Sequence, residues 1–469
     1  MKKNLIMAVA ALMATMSAMA QLERTAEFHE KYTLSQAVVL SRHSIRAPIV
    51  PPESILSKVT SHKWYDWFSA TGELSLRGGV LETEMGQFFR KWLVSEGLMT
   101  ENELPAEGTM RFYANSKQRT LATAQYFSSG MLPVANVPIE HHYNLGETDP
   151  VFASVLTAMS DSYRERALKQ IDDLFGDGSI AGIGQKVASN LRLLEEVIDM
   201  DQSFFCQRGI MCSFDENTTQ FTLNQGEEPA LVQGGWVAAH PVSDALLMQY
   251  YEESDEVKAA FGHTLTFEDW QRIAAIKDWA MTVVYTAPLI AVNIAHPLLQ
   301  EILSELQLEG RKFTYLCGHD TNLVSVLAAL SVEDYTLPGS VEADTPIGSK
   351  IVMEKWLGQD GKDYMGINLC YQSVEQLRQM PLLSMQNPPM VCPLHFEGLT
   401  ANADGLYLLS DFEQLLGERI AQYDSLPTAV QSVNSAQSNV SHGYRIDGTP
   451  ATKASRGIVI QDSQKYIMR

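Results

Sequence analysis

The stretch Ser41-Arg42-His43-Ser44-Ile45-Arg46-Ala47-Pro48 sets one imidazole between two guanidinium groups. A guanidinium fork matches the oxygens of a phosphate and keeps its charge, whereas imidazole offers a nitrogen lone pair near neutral pH. The pairing describes an anion pocket with a nucleophile inside it, and its natural product is a phosphohistidine. Two distant stretches carry matching chemistry. Lys117-Gln118-Arg119-Thr120 supplies a further guanidinium, and Gly318-His319-Asp320 a second imidazole beside a carboxyl group.

Each of these groups follows a β-prone run. Ala37-Val38-Val39-Leu40 reads as a buried strand that ends at Arg42. Met110-Arg111-Phe112-Tyr113-Ala114 is a second strand, with Asn115-Ser116 read as the cap of the helix that Lys117 to Thr120 opens. Phe313-Thr314-Tyr315-Leu316-Cys317 is a third, followed by an apolar helix through Leu330. In an open, mostly parallel α/β sheet flanked by helices, residues just past the strand ends converge on one crevice. Arg42, Arg46, Arg119 and His319 are therefore expected to surround a phosphate, with Asp320 beside it.

On these residues the chain resembles the histidine acid phosphatases. Arg42-His43-Ser44-Ile45-Arg46-Ala47-Pro48 is similar to that family's Arg-His-Gly-x-Arg-x-Pro signature, and His319-Asp320 to its His-Asp signature; Ser44 departs from the glycine or asparagine often found there. The resemblance runs from about Gln36 to about Asp424. Tyr113 to Gln125, Gly78 to Glu82, Thr345 to Val352 and Tyr371 to Arg378 resemble the bacterial periplasmic glucose-1-phosphatases rather than the phytases. The resemblance implies a phosphoglycerate-mutase-like α/β core, residues 21–138 and 285–425, with an inserted α-helical domain over 139–284 that closes over the crevice. It also implies that Glu228, just before Pro229, contacts the sugar, and that Cys206 pairs with Cys212. Ile49 and Val50 stand where the resembling phytases carry polar and basic residues that grip additional phosphates, which favours small phosphomonoesters.

Met1-Lys2-Lys3, the apolar run Leu5 to Met16 and Ala18-Met19-Ala20 form a secretory signal peptide (residues 1–20) cleaved after Ala20, so the mature chain is expected to be exported, to the periplasm in a double-membraned bacterium. A formal charge of −21 argues against nucleic acid, and no later segment is long and apolar enough for a membrane span. An acidic protein repels phosphate in general, so the local arginines must overcome that field at short range. Of the remaining cysteines, Cys317 reads as a buried thiol, and pairing of Cys370 with Cys392 is left open.

Elsewhere, Val80 to Leu93 reads as a helix with Leu81, Met85, Phe88 and Trp92 on one apolar face. Trp64, Trp67 and Phe68 lie in a loop, where packing is favoured over lining a sugar pocket. His141 and His142 are adjacent and cannot face one ligand from a regular element, and His240 reads as structural. Residues 426–469 read as a flexible linker ending in a small hairpin around Gly457 to Met468.

The expected activity is that of a periplasmic acid phosphatase acting on glucose 1-phosphate and other small-molecule phosphomonoesters. His43 attacks phosphorus, the arginines and His319 hold the oxygens, and Asp320, protonated in acid, serves the leaving group. No metal or other cofactor is needed, because guanidinium groups supply the positive charge. The assembly is expected to be a monomer or a homodimer. The nearest alternative is a phytase acting on inositol polyphosphates; one of another class is a non-catalytic sugar-phosphate binding protein.

Overall fold

The computed structural model describes residues 22, 24–51, 53–176, 178–214 and 220–426, and the backbone of strands 444–445, 457–461 and 464–468. The signal peptide, its cleavage site and most of the expected C-terminal linker lie outside the described residues.

Sequence alone places the Ala37-Val38-Val39-Leu40 run in a strand buried on both faces, and β1, Tyr32–Arg42, is the middle of the main sheet. Its side chains alternate between two cores: Val38 and Leu40 join one apolar cluster, Ala37 and Val39 the other. The remaining strands, in chain order, are β2 (Met110–Ala114), β3 (Gln220–Thr222), β4 (Ala230–Val232), β5 (Phe313–Gly318), β6 (Lys350–Gly358), β7 (Asp363–Tyr371), β8 (Met390–Pro393) and β9 (Tyr407–Leu408). The main sheet runs β2-β5-β1-β6-β7-β8, with β9 paired to β7.

The parallel character expected of the sheet belongs to one half of it. β2, β5 and β1 are parallel neighbours, whereas β6, β7, β8 and β9 add antiparallel. For β6 and β7 the cause is connection length. Only Gln359-Asp360-Gly361-Lys362 joins β6 to β7, too short for the crossover that a parallel pair requires, and Gly361 turns it at φ +78°. The parallel half is the one that carries the motifs. Its register sets Ser41, Cys317 and Ala114 abreast, so the residues after each strand emerge along one edge.

Helix Leu76–Ser95, longer than the 80–93 expected, buries Leu81, Met85, Phe88 and Trp92 and packs against helix Gln118–Met131. The two meet backbone to backbone. A Cβ on Gly86 would lie 2.1 Å from the Phe127 carbonyl oxygen, and one on Gly130 would lie 2.0 Å from that of Thr83. On the opposite side, helices Pro288–Gln307, Asp320–Ala329 and Leu409–Asp424 join the cluster that holds Val38 and Leu40.

Between residues 139 and 284 the chain is mostly helical, with the short β3/β4 ladder as its only sheet among the described residues. Helices Gly235–Glu252 and Phe267–Tyr285 form its centre. Trp236 is buried there with Nε1 donating to the Ile276 carbonyl at 2.9 Å, and Trp270 stacks on Tyr250. Among the described residues no single helix is long and apolar enough to cross a membrane.

Cys206 and Cys212 are joined by a disulfide, and Cys317 is a buried free thiol. Cys370 and Cys392 are unpaired. Cys392 sits opposite Leu369 in the β7/β8 ladder, one residue out of step with Cys370, and that offset turns the two thiols to opposite faces of the sheet. At the C-terminus β11 (Gly457–Gln461) and β12 (Gln464–Met468) pair antiparallel as a hairpin, and β10 (Tyr444–Arg445) adds to β11.

Candidate active site

His43 continues the parallel ladder past the end of β1, its backbone N–H donating to the Gly318 carbonyl at 3.0 Å. The loop beyond it is fixed from two sides: Gly348 N–H donates to the His43 carbonyl at 3.1 Å, and Ser44 N–H to Thr123 Oγ1 at 3.2 Å. His43 Nδ1 lies 2.9 Å from the Ser44 carbonyl oxygen. A carbonyl only accepts, so Nδ1 carries the ring proton and Nε2 presents the lone pair. Burial, and then the charges of Arg119, Arg46 and Arg42, hold this imidazole well below its ordinary pKa. The lone pair therefore survives to lower pH than that of a free imidazole.

The arginines do not share one environment. Arg42 is fully buried: Nη1 donates to Glu342 Oε1 at 2.7 Å and to the Thr345 carbonyl at 2.6 Å, while Nη2 stands 3.1 Å from Asp320 Oδ2. Arg46 meets Asp244 fork to fork, with both nitrogen–oxygen distances 3.0 Å. Arg119 makes only a 3.4 Å bond to the Gly72 carbonyl and has no carboxylate partner among the described residues. Its burial and the nearby Arg46 lower it to about 10. Arg119 is thus the cation with most to gain from an arriving anion.

His319 closes the pocket from β5. Its ring lies 5.4 Å, centroid to centroid, from that of His43, in an edge-to-face arrangement. Burial, then Arg119, Arg46 and Lys117, lower it to about 3 against the opposing pull of Asp320. Asp320 opens helix Asp320–Ala329. Burial alone would raise its carboxyl, but Arg42, followed by Lys277 and Arg46, outweighs that and holds it far below the usual carboxylate range. That field opposes the expectation that Asp320 begins protonated in acid and favours an ionised carboxylate beside Arg42.

A further chain of buried charge supports Arg42. Lys277 Nζ reaches the same Glu342 oxygen as Arg42, at 3.2 Å, and Asp278 Oδ1 at 2.9 Å; Tyr251 Oη and the Ile347 N–H hold the other Glu342 oxygen. Beneath the His43 loop, Lys350 and Glu82 form a second fully buried pair at 3.0 Å.

Glu228 borders the pocket. Tyr285 Oη lies 3.4 Å from Glu228 Oε2, and both line a 220 Å³ cavity walled by Leu231, Val237, Met281 and Val284. Burial raises the Glu228 carboxyl. His240, read from sequence as structural, opens onto the same cavity, four residues before Asp244 on one helix, so it does have charged neighbours. Trp64 packs, donating its indole N–H to the Leu56 carbonyl at 3.0 Å, whereas Phe68 is wholly exposed and lines nothing. His142 contacts Glu140, Asp149 and Tyr113. Among the described residues no group of three or more His, Cys, Asp or Glu is placed to hold a metal ion.

Structure thus brings together Arg42, His43, Arg46, Arg119, His319 and Asp320, with Glu228 at the rim. Sequence reasoning missed Asp244, Lys277 and Glu342, each of which meets a partner more than sixty residues away and stands in an unremarkable helical or loop context. It also misread Asn115. Lys117, not Asn115, occupies the cap position, and the Asn115 side chain turns to His319.

The match of residues 33–372 to the model of the histidine phosphatase superfamily (branch 2) spans this whole constellation. A glucose-1-phosphatase of Salmonella typhimurium is 33% identical over 420 residues, covering 89% of this chain and 99% of that protein. One of Providencia rettgeri is 33% identical over 395 residues, covering 83% and 92%. Among solved structures, the apo form of a Hafnia alvei phytase superposes with a TM-score of 0.77 at 26% identity, covering 85% of this chain and 98% of that one. With His43, Arg42, Arg46, Arg119, His319 and Asp320 all inside the matched region, the chain is a phosphatase and belongs to branch 2 of the histidine phosphatase superfamily.

Proposed function

We propose that the protein hydrolyses glucose 1-phosphate, and other small phosphomonoesters less efficiently, through a phosphohistidine on His43. One observation carries this reading: the Ser44 carbonyl occupies His43 Nδ1, which leaves Nε2 as a free lone pair among Arg42, Arg46, Arg119 and His319. The likeness to glucose-1-phosphatases supports the sugar, as does the position of Glu228 on a cavity beside the pocket.

In the first step the Nε2–phosphorus bond forms as the phosphorus–oxygen bond to the sugar breaks, and Asp320 gives its proton to the departing oxygen. General acid help of this kind is worth about 10²–10⁴-fold. In the second step water attacks the phosphohistidine, Asp320 takes its proton, and orthophosphate leaves. The arginines and His319 spread the charge on the equatorial oxygens throughout. Asp320 can serve as an acid because the arriving phosphate takes up the field of Arg42 and Arg46 that otherwise keeps the carboxyl ionised.

The helical segment 139–284 serves as the wall that selects the leaving group, and export after cleavage behind Ala20 places the enzyme outside the inner membrane. The test is a substrate panel at acidic pH with rapid-denaturation trapping. The reading expects higher kcat/KM on glucose 1-phosphate than on phytate, and an acid-labile phosphoenzyme absent from His43→Ala. Preference for phytate overturns the substrate, and a His43→Ala variant that still turns over overturns the mechanism.

A further inference from the structure

Asn115 stands just past β2, in the row beside Gly318, and is fully buried. Its backbone continues the sheet, N–H donating to the Cys317 carbonyl at 3.0 Å, and its own carbonyl accepts from Thr120 Oγ1 at 2.6 Å. The side chain is equally constrained. Oδ1 accepts from two backbone N–H groups, Ser116 and Asp149, both at 2.9 Å. Asp149 is itself anchored, its carboxylate accepting from Tyr113 Oη at 2.7 Å and from the Val151 N–H at 3.0 Å.

Those contacts settle which way the amide points. Reversed, it would press an NH₂ group against two buried N–H donors, leaving all of them unsatisfied, at about 1–3 kcal/mol each. The NH₂ therefore faces His319, with Nδ2 2.8 Å from Nε2. An amide nitrogen only donates. His319 Nε2 must accept, and its ring proton belongs on Nδ1.

We propose that Asn115 is a positioning residue that fixes the tautomer of His319, so that the ring enters the reaction as a neutral Nδ1–H donor and not as a cation. The surroundings agree with this assignment. Arg46 from the first motif, and Lys117 and Arg119 from the Gln118 helix and its cap, oppose a positive charge on the ring, while the Asp320 carboxylate favours it. The His43 ring, 5.4 Å away, gains as well, since a neutral neighbour withdraws less from its lone pair than an imidazolium would. The consequence for catalysis rests on the phosphohistidine reading: His319 would add a hydrogen bond to a phosphoryl oxygen without adding to three guanidinium charges.

The experiment is long-range ¹H–¹⁵N spectroscopy of the unliganded full chain carrying ¹⁵N-histidine, across the acid to neutral range, with the His319 signals assigned by their loss in His319→Gln. The expected spectrum is that of an Nδ1–H neutral ring that does not titrate over the range. Asn115→Asp keeps an oxygen for both backbone donors but turns a carboxylate toward Nε2. It is expected to make His319 an imidazolium that titrates within the range, and to add one ionisation to the pH profile of kcat/KM. A wild-type His319 found as an Nε2–H tautomer or as imidazolium overturns the proposal, and so does an Asn115→Asp chain in which its signals stay unmoved. If the variant does not fold, the wild-type spectrum decides alone. A correct tautomer with no trapped phosphoenzyme would sink the reaction while leaving this assignment standing.

Discussion

Asp244 meets Arg46 with one carboxylate oxygen on each terminal guanidinium nitrogen, 3.0 Å apart in both cases, and both side chains are buried. The pair orients Arg46 toward the pocket and leaves Nη2 a further N–H for phosphate, while Nη1 also donates to the Ala47 carbonyl at 3.3 Å. Removing the carboxylate strands a buried cation, which costs about 3–5 kcal/mol. Asp244→Ala should lower Tm accordingly, and inorganic phosphate should restore part of the loss by supplying a replacement anion. Thermal melts with and without phosphate check this. An unchanged Tm in phosphate-free buffer would mean that Arg46 has another partner.

Asp320→Asn removes both the acid and the base of the proposed cycle. For glucose 1-phosphate the rate should fall by about 10²–10⁴-fold. For an aryl ester with a good leaving group the first step should suffer less, and phosphoenzyme should accumulate because its hydrolysis has lost its base. Burst kinetics with the aryl substrate check the asymmetry.

After burial, Arg119 is the main charge that keeps His43 unprotonated. The sign follows directly: with a lowered pKa the lone pair survives into acid, and activity is lost only when pH falls through that value. Arg119→Met should raise the His43 pKa, so the acid limb of kcat/KM against pH moves to higher pH, apart from the fall in kcat/KM caused by weaker phosphate binding. A limb that stays in place would assign the limit to another group.

If Glu228 accepts from the sugar as proposed, Glu228→Ala removes that acceptor from the wall of the cavity it lines. Hydrogen bonds to charged groups are worth about 1.5–3 kcal/mol, so kcat/KM for glucose 1-phosphate should drop about 10- to 100-fold, while that for a simple aryl phosphate changes little. Equal losses on both substrates would place Glu228 in phosphate handling.

Lys350 and Glu82 are both fully buried under the His43 loop. Lys350→Met alone should cost about 3–5 kcal/mol, whereas Lys350→Met combined with Glu82→Leu should recover most of it. Denaturant titration of the two variants distinguishes a paired charge from plain packing.

The parts of this site that sequence reveals are those lying next to strand ends. Arg42, His43, His319 and Asp320 each stand within two residues of the end of β1 or β5, so local β-pattern and the rule of convergence at strand ends were enough to gather them. Arg119 followed because helix Gln118–Met131 begins beside β2. Asp244, Lys277 and Glu342 were illegible because nothing local marks them: each acts through a partner more than sixty residues away, across a packed interface that periodicity does not encode. Asn115 was legible as a polar residue before a helix, and the commoner use of such a residue was assigned to it. Asp360-Gly361 between two β-prone runs is the local signal of the antiparallel β6/β7 pair that the expectation of a mostly parallel sheet passed over.

Asp244 and Lys277 come from the helical segment, while Arg46 and Glu342 belong to loops at the sheet edge. Swinging that segment outward would unpair buried ions at two separate points, each dearer than a typical substrate's hydrogen bond. The helical segment is accordingly bolted to the sheet by buried charge. If it selects the leaving group as proposed, it does so as fixed architecture, to be altered by reshaping walls and not by loosening hinges.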